Sequence, residues 1–262
     1  MARRIVVTSG KGGVGKTSIA ANLGIRLAKS GKRVCIMDAD FGLNNLDVVT
    51  GVEKLVVYDA ADCVEGRCRV KQALIECPSN KNVYILPSVH SIARTAINEK
   101  TIGELTEGLS TMFDYVVVDC PAGVNEGFSL AVSLSEEALV VTTPQLSSLR
   151  DADKVISLLR GYGLKSIRLI VNRVRGDLVA EGDMLSPEEI EKALKCRLAG
   201  VIPDDDNVFL RGAGLIPSDS PSFKAFKILA SNVVSGKSKI YDYISKYTGF
   251  VGAIRRGIKR NV

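Results

Sequence analysis

The chain has 262 residues, a length that suits one large α/β domain. Aromatic residues make up only 5% of it and Trp is absent, which argues against a broad base-stacking surface for nucleic acid. The net charge of +6 arises within residues 237–262, so the rest of the chain sums to zero and no nucleic-acid partner is expected.

The sequence carries no signal for export or for spanning a membrane. No apolar run reaches the ~18 residues that a membrane-spanning helix needs, and the two arginines near the N-terminus are not followed by the apolar region of a secretion signal. The six cysteines form no Cys-x-x-Cys pair and His90 is the only histidine, so we expect free thiols and no zinc site. These features predict a cytoplasmic protein.

Short β-branched runs alternate with helical patterns along the chain. Strands are predicted at Arg4–Thr8, Arg33–Met37, Asn82–Leu86, Tyr115–Asp119, Ala138–Thr142, Ile167–Asn172 and Leu198–Ile202. Helices are predicted at Lys16–Lys29, near Ile102–Met112, from Ser148 onward, at Ser186–Leu194 and at roughly Ser222–Tyr247. Continuous Val/Ile runs indicate strands buried on both faces, so we expect an α/β fold with a mostly parallel twisted sheet and helices on both faces. Residues 1–247 are predicted to form one domain and residues 248–262 a tail.

A glycine-rich loop lies between the first predicted strand and helix. Its residues 10–17 are Gly-Lys-Gly-Gly-Val-Gly-Lys-Thr, which fits the phosphate-loop spacing Gly-x-x-x-x-Gly-Lys-Thr. Glycines let backbone N–H groups turn toward phosphate oxygens, and the helix N-terminus adds partial positive charge. The residues expected to bind nucleotide are Gly10, Gly12, Gly13, Val14, Gly15, Lys16, Thr17 and Ser18. Lys16 is expected to reach the β- and γ-phosphates, and Thr17 to bind Mg²⁺.

Lys11 adds a second lysine to this loop. The string Lys-Gly-Gly-Val-Gly-Lys-Thr resembles the signature of deviant Walker A ATPases, the family of P-loop NTPases that includes ParA, MinD and the nitrogenase iron proteins. In that family the extra lysine contacts phosphates across a dimer interface. The resemblance implies an ATP-dependent homodimer in which Lys11 acts catalytically in trans. The alternative is a solvated lysine on a loop.

Carboxylates follow two of the predicted strands. Asp119 ends a very apolar strand in the form of a Walker B motif and is expected to hold Mg²⁺, the alternative being a cap on the next turn. The segment from Asp38 resembles switch I of the family, which implies that Asp38 lies near the metal and Asp40 orients or deprotonates the attacking water. The side chains of Asp38 and Asp40 can face the same cleft only if the strand breaks there, and Gly42 makes such a break plausible. An ordinary loop carboxylate is the alternative for Asp40.

Two further positions carry expectations from the resemblance. Asn172 would recognise adenine through its amide, with Pro203 and Asp204 forming the other wall of the base pocket. The alternative for Asn172 is a turn at a strand end. Asp151 matches an aspartate that pairs with the deviant lysine before dimerisation, and an ordinary first-turn helix acid is its alternative.

The resemblance to the MinD branch of the family extends over essentially the whole chain. Matching strings include Gly42–Asp47, Tyr84–Pro87, Arg150–Asp153 and Gly200–Pro203, while Asn44-Asn45 departs from the arginine of some MinD proteins. The branch implies septum positioning, with a MinC-like septum inhibitor and a MinE-like or other polar topology factor as partners. A nitrogenase-type cluster is disfavoured, because Cys120 has no convincing second ligand.

The tail has an amphipathic pattern. On a helix, Phe250, Val251, Ile254, Ile258 and Val262 fall within about 120° of arc, and Arg255, Arg256, Lys259 and Arg260 lie on the adjoining side. This pattern is typical of a helix lying in an anionic membrane surface. We therefore expect attachment to the inner face of the cell membrane in the ATP-bound state. A disordered basic tail or a helix docked on the body is the alternative.

Two other functions within the family remain open. MinD-like flagellar-number regulators share the ATPase and a similar tail, but they usually carry an extension before the first strand, which here begins by Arg4. ParA-like partition ATPases carry DNA, which requires basic charge on a body that is here neutral.

Overall fold

The computed structural model describes residues 1–40, 45–88, 97–249 and 252. Its centre is a twisted sheet in the order β3-β4-β2-β5-β1-β6-β7-β8. The strands are β1 (Arg3–Thr8), β2 (Val34–Asp38), β3 (Ile75–Cys77), β4 (Asn80–Leu86), β5 (Tyr115–Asp119), β6 (Glu137–Thr142), β7 (Ser166–Val174) and β8 (Leu198–Pro203). Neighbouring strands are parallel except for the β3–β4 pair. The carboxyl ends of the parallel strands therefore share one edge of the sheet.

Helices cover both faces of this sheet. They are α1 (Lys16–Ala28), α2 (Leu46–Thr50), α3 (Ala60–Val64), α4 (Val70–Ala73), α5 (Glu99–Met112), α6 (Glu126–Ser133), α7 (Leu146–Leu159), α8 (Gly176–Glu181), α9 (Pro187–Leu194), α10 (Asp206–Leu210) and α11 (Pro221–Ser235). The start of α9 follows its sequence signal, because the side chain of Ser186 accepts the N–H of Glu189 and Pro187 occupies the first turn.

Alternate residues of each central strand enter two separate hydrophobic cores. In β1, Val6 packs into the core that also contains Leu105 of α5. Ile5 and Val7 point to the opposite face and join the core that contains Leu23 of α1. This double burial explains the continuous Val/Ile runs. It confirms the predicted α/β architecture.

The sequence patterns missed one strand and overextended one helix. They also missed six shorter helices, namely α2, α3, α4, α6, α8 and α10. The short strand β3 forms an antiparallel hairpin with β4 that the periodicity did not indicate. The terminal helix predicted to reach Tyr247 ends at Ser235, because Gly236 adopts a left-handed conformation with φ 70°. The side chain of Asn232 then donates to the carbonyl of Lys239 at 2.5 Å and holds the chain folded back. The predicted break at Gly42, the Asn44 difference and the amphipathic tail lie outside the described residues.

Candidate nucleotide-binding site

The glycine-rich loop joins β1 to α1 at the carboxyl edge of the sheet. Gly13 and Gly15 have φ values of 76° and 97°, a region that favours glycine. The N-terminus of α1 begins at Lys16, so its first-turn N–H groups face the loop, and Thr17 and Ser18 follow in the same turn. This arrangement is suited to an anion held by backbone amides.

Close contacts fix the loop on two sides. A Cβ on Gly10 would lie 2.3 Å from the carbonyl oxygen of Asp151 in α7, and a Cβ on Gly15 would lie 2.5 Å from Nδ2 of Asn172. Nδ2 of Asn172 donates to the carbonyl of Val14 at 2.7 Å. The Asn172 side chain is thus directed at the phosphate loop, a contact that neither interpretation from the sequence had anticipated.

Two buried carboxylates lie side by side next to this loop. Asp38 and Asp119 are paired in register at the ends of β2 and β5 and are only 2% and 3% exposed. Burial, followed by the charge of Asp119, raises the pKa of Asp38 well above its usual value. Burial also raises the pKa of Asp119 to about 7, although the Thr17 side chain and the Lys16 charge act in the opposite direction.

The chemistry of this pair fits a divalent cation. Oδ1 of Asp119 is buried and makes no hydrogen bond. An unpaired buried carboxylate oxygen costs free energy, and Mg²⁺ is coordinated by oxygen ligands of this type. Thr17 lies close enough to influence Asp119, so the residues predicted to hold the metal are brought together.

Asp40 lies one residue beyond the buried Asp38–Ala39 pair. Its N–H donates to Oδ1 of Asp38 at 2.9 Å, and its carbonyl accepts from Oγ of Ser88 at 2.9 Å. Asp40 also lines an open cavity of about 920 Å³ that includes Pro121, two residues after the end of β5. The predicted catalytic carboxylate is therefore accessible from solvent and adjacent to the Asp38–Asp119 pair.

The structure does not bring Lys11 and the Asp151 carboxylate together. Nζ of Lys11 donates to Oγ of Ser147 at 2.8 Å, in the first turn of α7. The carboxylate of Asp151 is 3.8 Å from Nζ of Lys154. The pairing of Lys11 with Asp151 remains a prediction.

The loop after β8 forms the other side of the site. The N–H of Asp204 donates to the carbonyl of Val174 at 3.0 Å, which holds the Pro203–Asp204 segment against the end of β7. Asp204 is exposed and Pro203 is buried. Both residues lie at the carboxyl edge that carries Asn172, and their role in an adenine pocket stays a prediction.

Sequence reasoning missed Asp205. Its Oδ2 accepts from Oγ of Ser220 at 2.6 Å and from Oγ and N of Ser222 at 2.7 and 3.1 Å. Burial alone would raise the pKa of this carboxyl, but its hydrogen bonds from Ser220, Ser222 and Asn207 hold the pKa well below its usual range. Ser220-Pro221 is an N-cap signature that could have marked the start of α11, but nothing in the sequence indicated its partner.

The chain after α11 returns to the same edge. The hydroxyl of Tyr243 donates to Oε2 of Glu188 at 2.6 Å, and Gly176 lies so close to the Tyr243 carbonyl that no Cβ would fit. A cavity of about 310 Å³ separates Tyr241 and Tyr247 from Pro203 and the adjoining loop. The predicted membrane-binding residues follow this segment and lie outside the described residues.

Comparisons with known proteins agree with this geometry. The ParA family model, described as NUBPL iron-transfer P-loop NTPase, matches residues 1–182. Septum site-determining protein MinD of Synechocystis is 41% identical over 261 residues, which cover 98% of each chain. Among solved structures, the MinC:MinD cell division protein complex of Aquifex aeolicus gives a TM-score of 0.83 at 38% identity, with 91% of this chain and 97% of that chain covered. MinD of Pyrococcus horikoshii complexed with Mg-ADP gives 0.79 at 31% identity, with 90% and 97% covered.

Among the described residues, no helix is both long enough and apolar enough to cross a membrane.

Proposed function

The chain belongs to the MinD family of septum site-determining P-loop ATPases, and on this basis we propose that it is an ATP-driven switch that dimerises, attaches to the membrane and positions the division septum. The observation that carries this proposal is the buried pair of carboxylates, Asp38 and Asp119. Oδ1 of Asp119 makes no hydrogen bond, and this pair lies beside the phosphate loop. Such a pair is costly to keep in a protein interior unless a cation offsets it.

Different residues of the site bind the phosphates, the metal ion and the attacking water. Backbone N–H groups from Gly10 to Gly15 and the side chain of Lys16 bind the phosphates of ATP. Thr17, Asp38 and Asp119 would hold Mg²⁺, which would supply positive charge next to the phosphoryl group. Asp40 orients the attacking water and accepts its proton, and its position beside an open cavity supports this role.

Dimerisation completes the site. Nζ of Lys11 donates a hydrogen bond to the hydroxyl of Ser147, whereas the Asp151 carboxylate lies near Lys154. A lysine tied this weakly can be released at small cost and supplied to the nucleotide of a second subunit. Hydrolysis then depends on the dimer, because only the dimer carries that positive charge to the transition state.

Attachment to the membrane uses the tail. The described segment that ends at Gly249 starts from the edge of the sheet that carries the nucleotide site, since Tyr243 packs against the beginning of α8. The apolar face and the basic face of the tail suit an anionic lipid surface. A single tail binds the membrane only weakly, because ordering it costs conformational entropy. Two tails on one dimer raise the affinity for the membrane about 10²–10⁴-fold through avidity.

The partners of the switch follow from its relatives. The Aquifex structure is a MinC:MinD complex, and we propose that this chain likewise recruits a MinC-like septum inhibitor to the membrane. A MinE-like or other polar factor would stimulate hydrolysis and release the dimer.

The experiment that tests this function is co-sedimentation of the full chain with phosphatidylglycerol-containing vesicles in Mg-ATP and in Mg-ADP. We expect binding in ATP, release in ADP and lasting attachment of Asp40→Ala, which binds ATP without hydrolysing it. The double variant Ile254→Glu/Ile258→Glu should not bind. Lys29→Glu, at an exposed position on the body, changes the net charge by the same amount and should bind normally. Equal sedimentation in ATP and ADP would contradict the proposed switch.

A further inference from the structure

Two cysteines outside the nucleotide site lie side by side after α3. Sγ of Cys63 is 3.5 Å from Sγ of Cys68. Gly66, with φ 73°, reverses the chain between them. The N–H of Cys68 then donates to the carbonyl of Asp62 at 3.3 Å. The backbone itself therefore holds the two sulfurs close together.

The distance is suited to a covalent bond between the sulfurs. A disulfide has an S–S length of about 2.0 Å, so the sulfurs need to approach by only about 1.5 Å. Rotation about the side-chain torsions of Cys63 and Cys68 provides movement of this size. The hairpin between them is additionally held by the ion pair of Arg67 Nε with Oδ1 of Asp62 at 2.6 Å.

This pair differs from the other cysteines in its accessibility. Cys63 and Cys68 are half-buried, whereas the remaining four are buried, namely Cys35, Cys77, Cys120 and Cys196. Oxidation by a dissolved reagent depends on exposure as well as on reactivity. A reagent in solution therefore reaches this pair first.

We propose that Cys63 and Cys68 form a redox-active dithiol, which low-molecular-weight disulfides such as oxidised glutathione convert reversibly to an intramolecular disulfide. The thiolate of one cysteine attacks a sulfur of the external disulfide and releases one external thiol. The second protein sulfur then attacks the mixed disulfide and releases the other thiol. Two protein thiols lose two electrons to the external disulfide, and their two protons end on the two released thiols.

Burial, followed by the hydrogen bond with Cys68, raises the pKa of the Cys63 thiol. Either sulfur can make the first attack, and the adjacent sulfur, 3.5 Å away, then resolves the mixed disulfide. A metal site is less well supported, since within the described ranges no cluster of three or more His, Cys, Asp or Glu side chains could hold an ion.

Two hydrogen bonds connect the helix that carries Cys63 to the Asp40 segment. The N–H of Ala60, the first residue of α3, donates to the carbonyl of Pro87 at 3.2 Å. The next residue, Ser88, donates to the carbonyl of Asp40. A disulfide at Cys63 would therefore form on the helix that supports the Asp40 loop.

The test is oxidation of the folded full chain with oxidised glutathione, followed by alkylation in denaturant and tryptic mass spectrometry. Trypsin cleaves after Arg67, between the two cysteines, so the disulfide would appear as two fragments joined to each other and separated by dithiothreitol. We expect this linkage in the wild type, with the four buried cysteines recovered as alkylated thiols. Cys63→Ser should instead retain one glutathione on Cys68, because the resolving sulfur is missing.

Two results would overturn the proposal. One is a glutathione adduct on each of Cys63 and Cys68 in the wild type, without a linkage between them. The other is recovery of both as unreacted thiols from protein that still binds nucleotide. Neither result depends on whether a cysteine variant folds.

Discussion

The amide of Asn172 contacts the phosphate loop directly, through its 2.7 Å hydrogen bond to the carbonyl of Val14. This contact allows two roles to be separated. If Asn172 only braces the loop, Asn172→Ala weakens ATP and GTP binding equally, whereas a role in adenine recognition makes the loss larger for ATP. We expect ATP affinity to fall about 5- to 30-fold, in line with one to two lost hydrogen bonds.

Equilibrium titration with fluorescent ATP and GTP analogues measures this change. Asn82→Ala, at an exposed position in β4, serves as the control and should bind as the wild type does. Unchanged affinity in Asn172→Ala would show that neither role applies.

The raised pKa of Asp119 predicts how the nucleotide-free protein responds to pH. A carboxyl that titrates near 4 when unfolded and at about 7 when folded binds more protons in the folded state across that window. Stability therefore falls as pH rises from about 4 to 7. Asp119→Asn removes this titration, and its stability should exceed that of the wild type at pH 8 by about 2–4 kcal/mol without Mg-nucleotide.

Thermal unfolding at pH 5 and pH 8 in EDTA provides the measurement. Mg-ATP should raise the Tm of the wild type, and the variant should lose this rise. If the difference in stability between the wild type and Asp119→Asn is the same at pH 5 and pH 8, burial of an ionisable group at this position is contradicted.

At the level of elements, Asp205 joins the loop after β8 to the start of α11. Asp205→Asn replaces charge-assisted hydrogen bonds with neutral ones, and we expect a loss of about 1 kcal/mol after allowing for solvent screening. Because the pKa of Asp205 is depressed, its contribution is present above the unfolded value and is lost as pH falls below about 4. The difference in Tm from the wild type should therefore narrow in acid.

The neighbouring Asp206 is exposed, so Asp206→Asn provides a control at which little change in Tm is expected. If the two variants unfold at the same temperature at pH 7, the proposed tie between the loop and α11 is wrong.

The elements also show where prediction from sequence works and where it stops. The strand Tyr115–Asp119 was predicted at its observed bounds, because burial on both faces leaves an uninterrupted apolar run. The phosphate loop was predictable because phosphate binding depends on residues that are close together in the sequence, so their spacing alone identifies it. The end of α11 is not predicted, because the apolar pattern continues beyond Gly236. Asp205 is not predicted, because its partners are 15 and 17 residues away along the chain. Contacts of Lys11 and Asn172 depend on how distant segments meet, which spacing along the chain does not encode.

At the level of the whole molecule, the nucleotide site and the start of the tail share one edge of the sheet. Tyr241 and Tyr247 face the Pro203–Asp204 segment across a cavity of about 310 Å³. If two subunits meet through this edge, the residues from which their two tails begin lie near the same interface. This geometry favours simultaneous contact of the two tails with one lipid surface, which is the condition for avidity.

A mixed dimer tests this arrangement. Full-length Asp40→Ala is mixed before ATP is added with an excess of the same variant carrying Ile254→Glu and Ile258→Glu. Most chains with an unaltered tail then pair with a chain whose tail is substituted, so their dimers carry one unaltered tail. We expect vesicle binding by the chain with the unaltered tail to fall about 10-fold or more. Competitor that also carries Lys16→Ala cannot bind ATP, should not enter dimers and should leave binding unchanged. If both competitors leave it unchanged, one tail suffices for attachment, and the coupling of ATP to the membrane must arise from something other than pairing two tails.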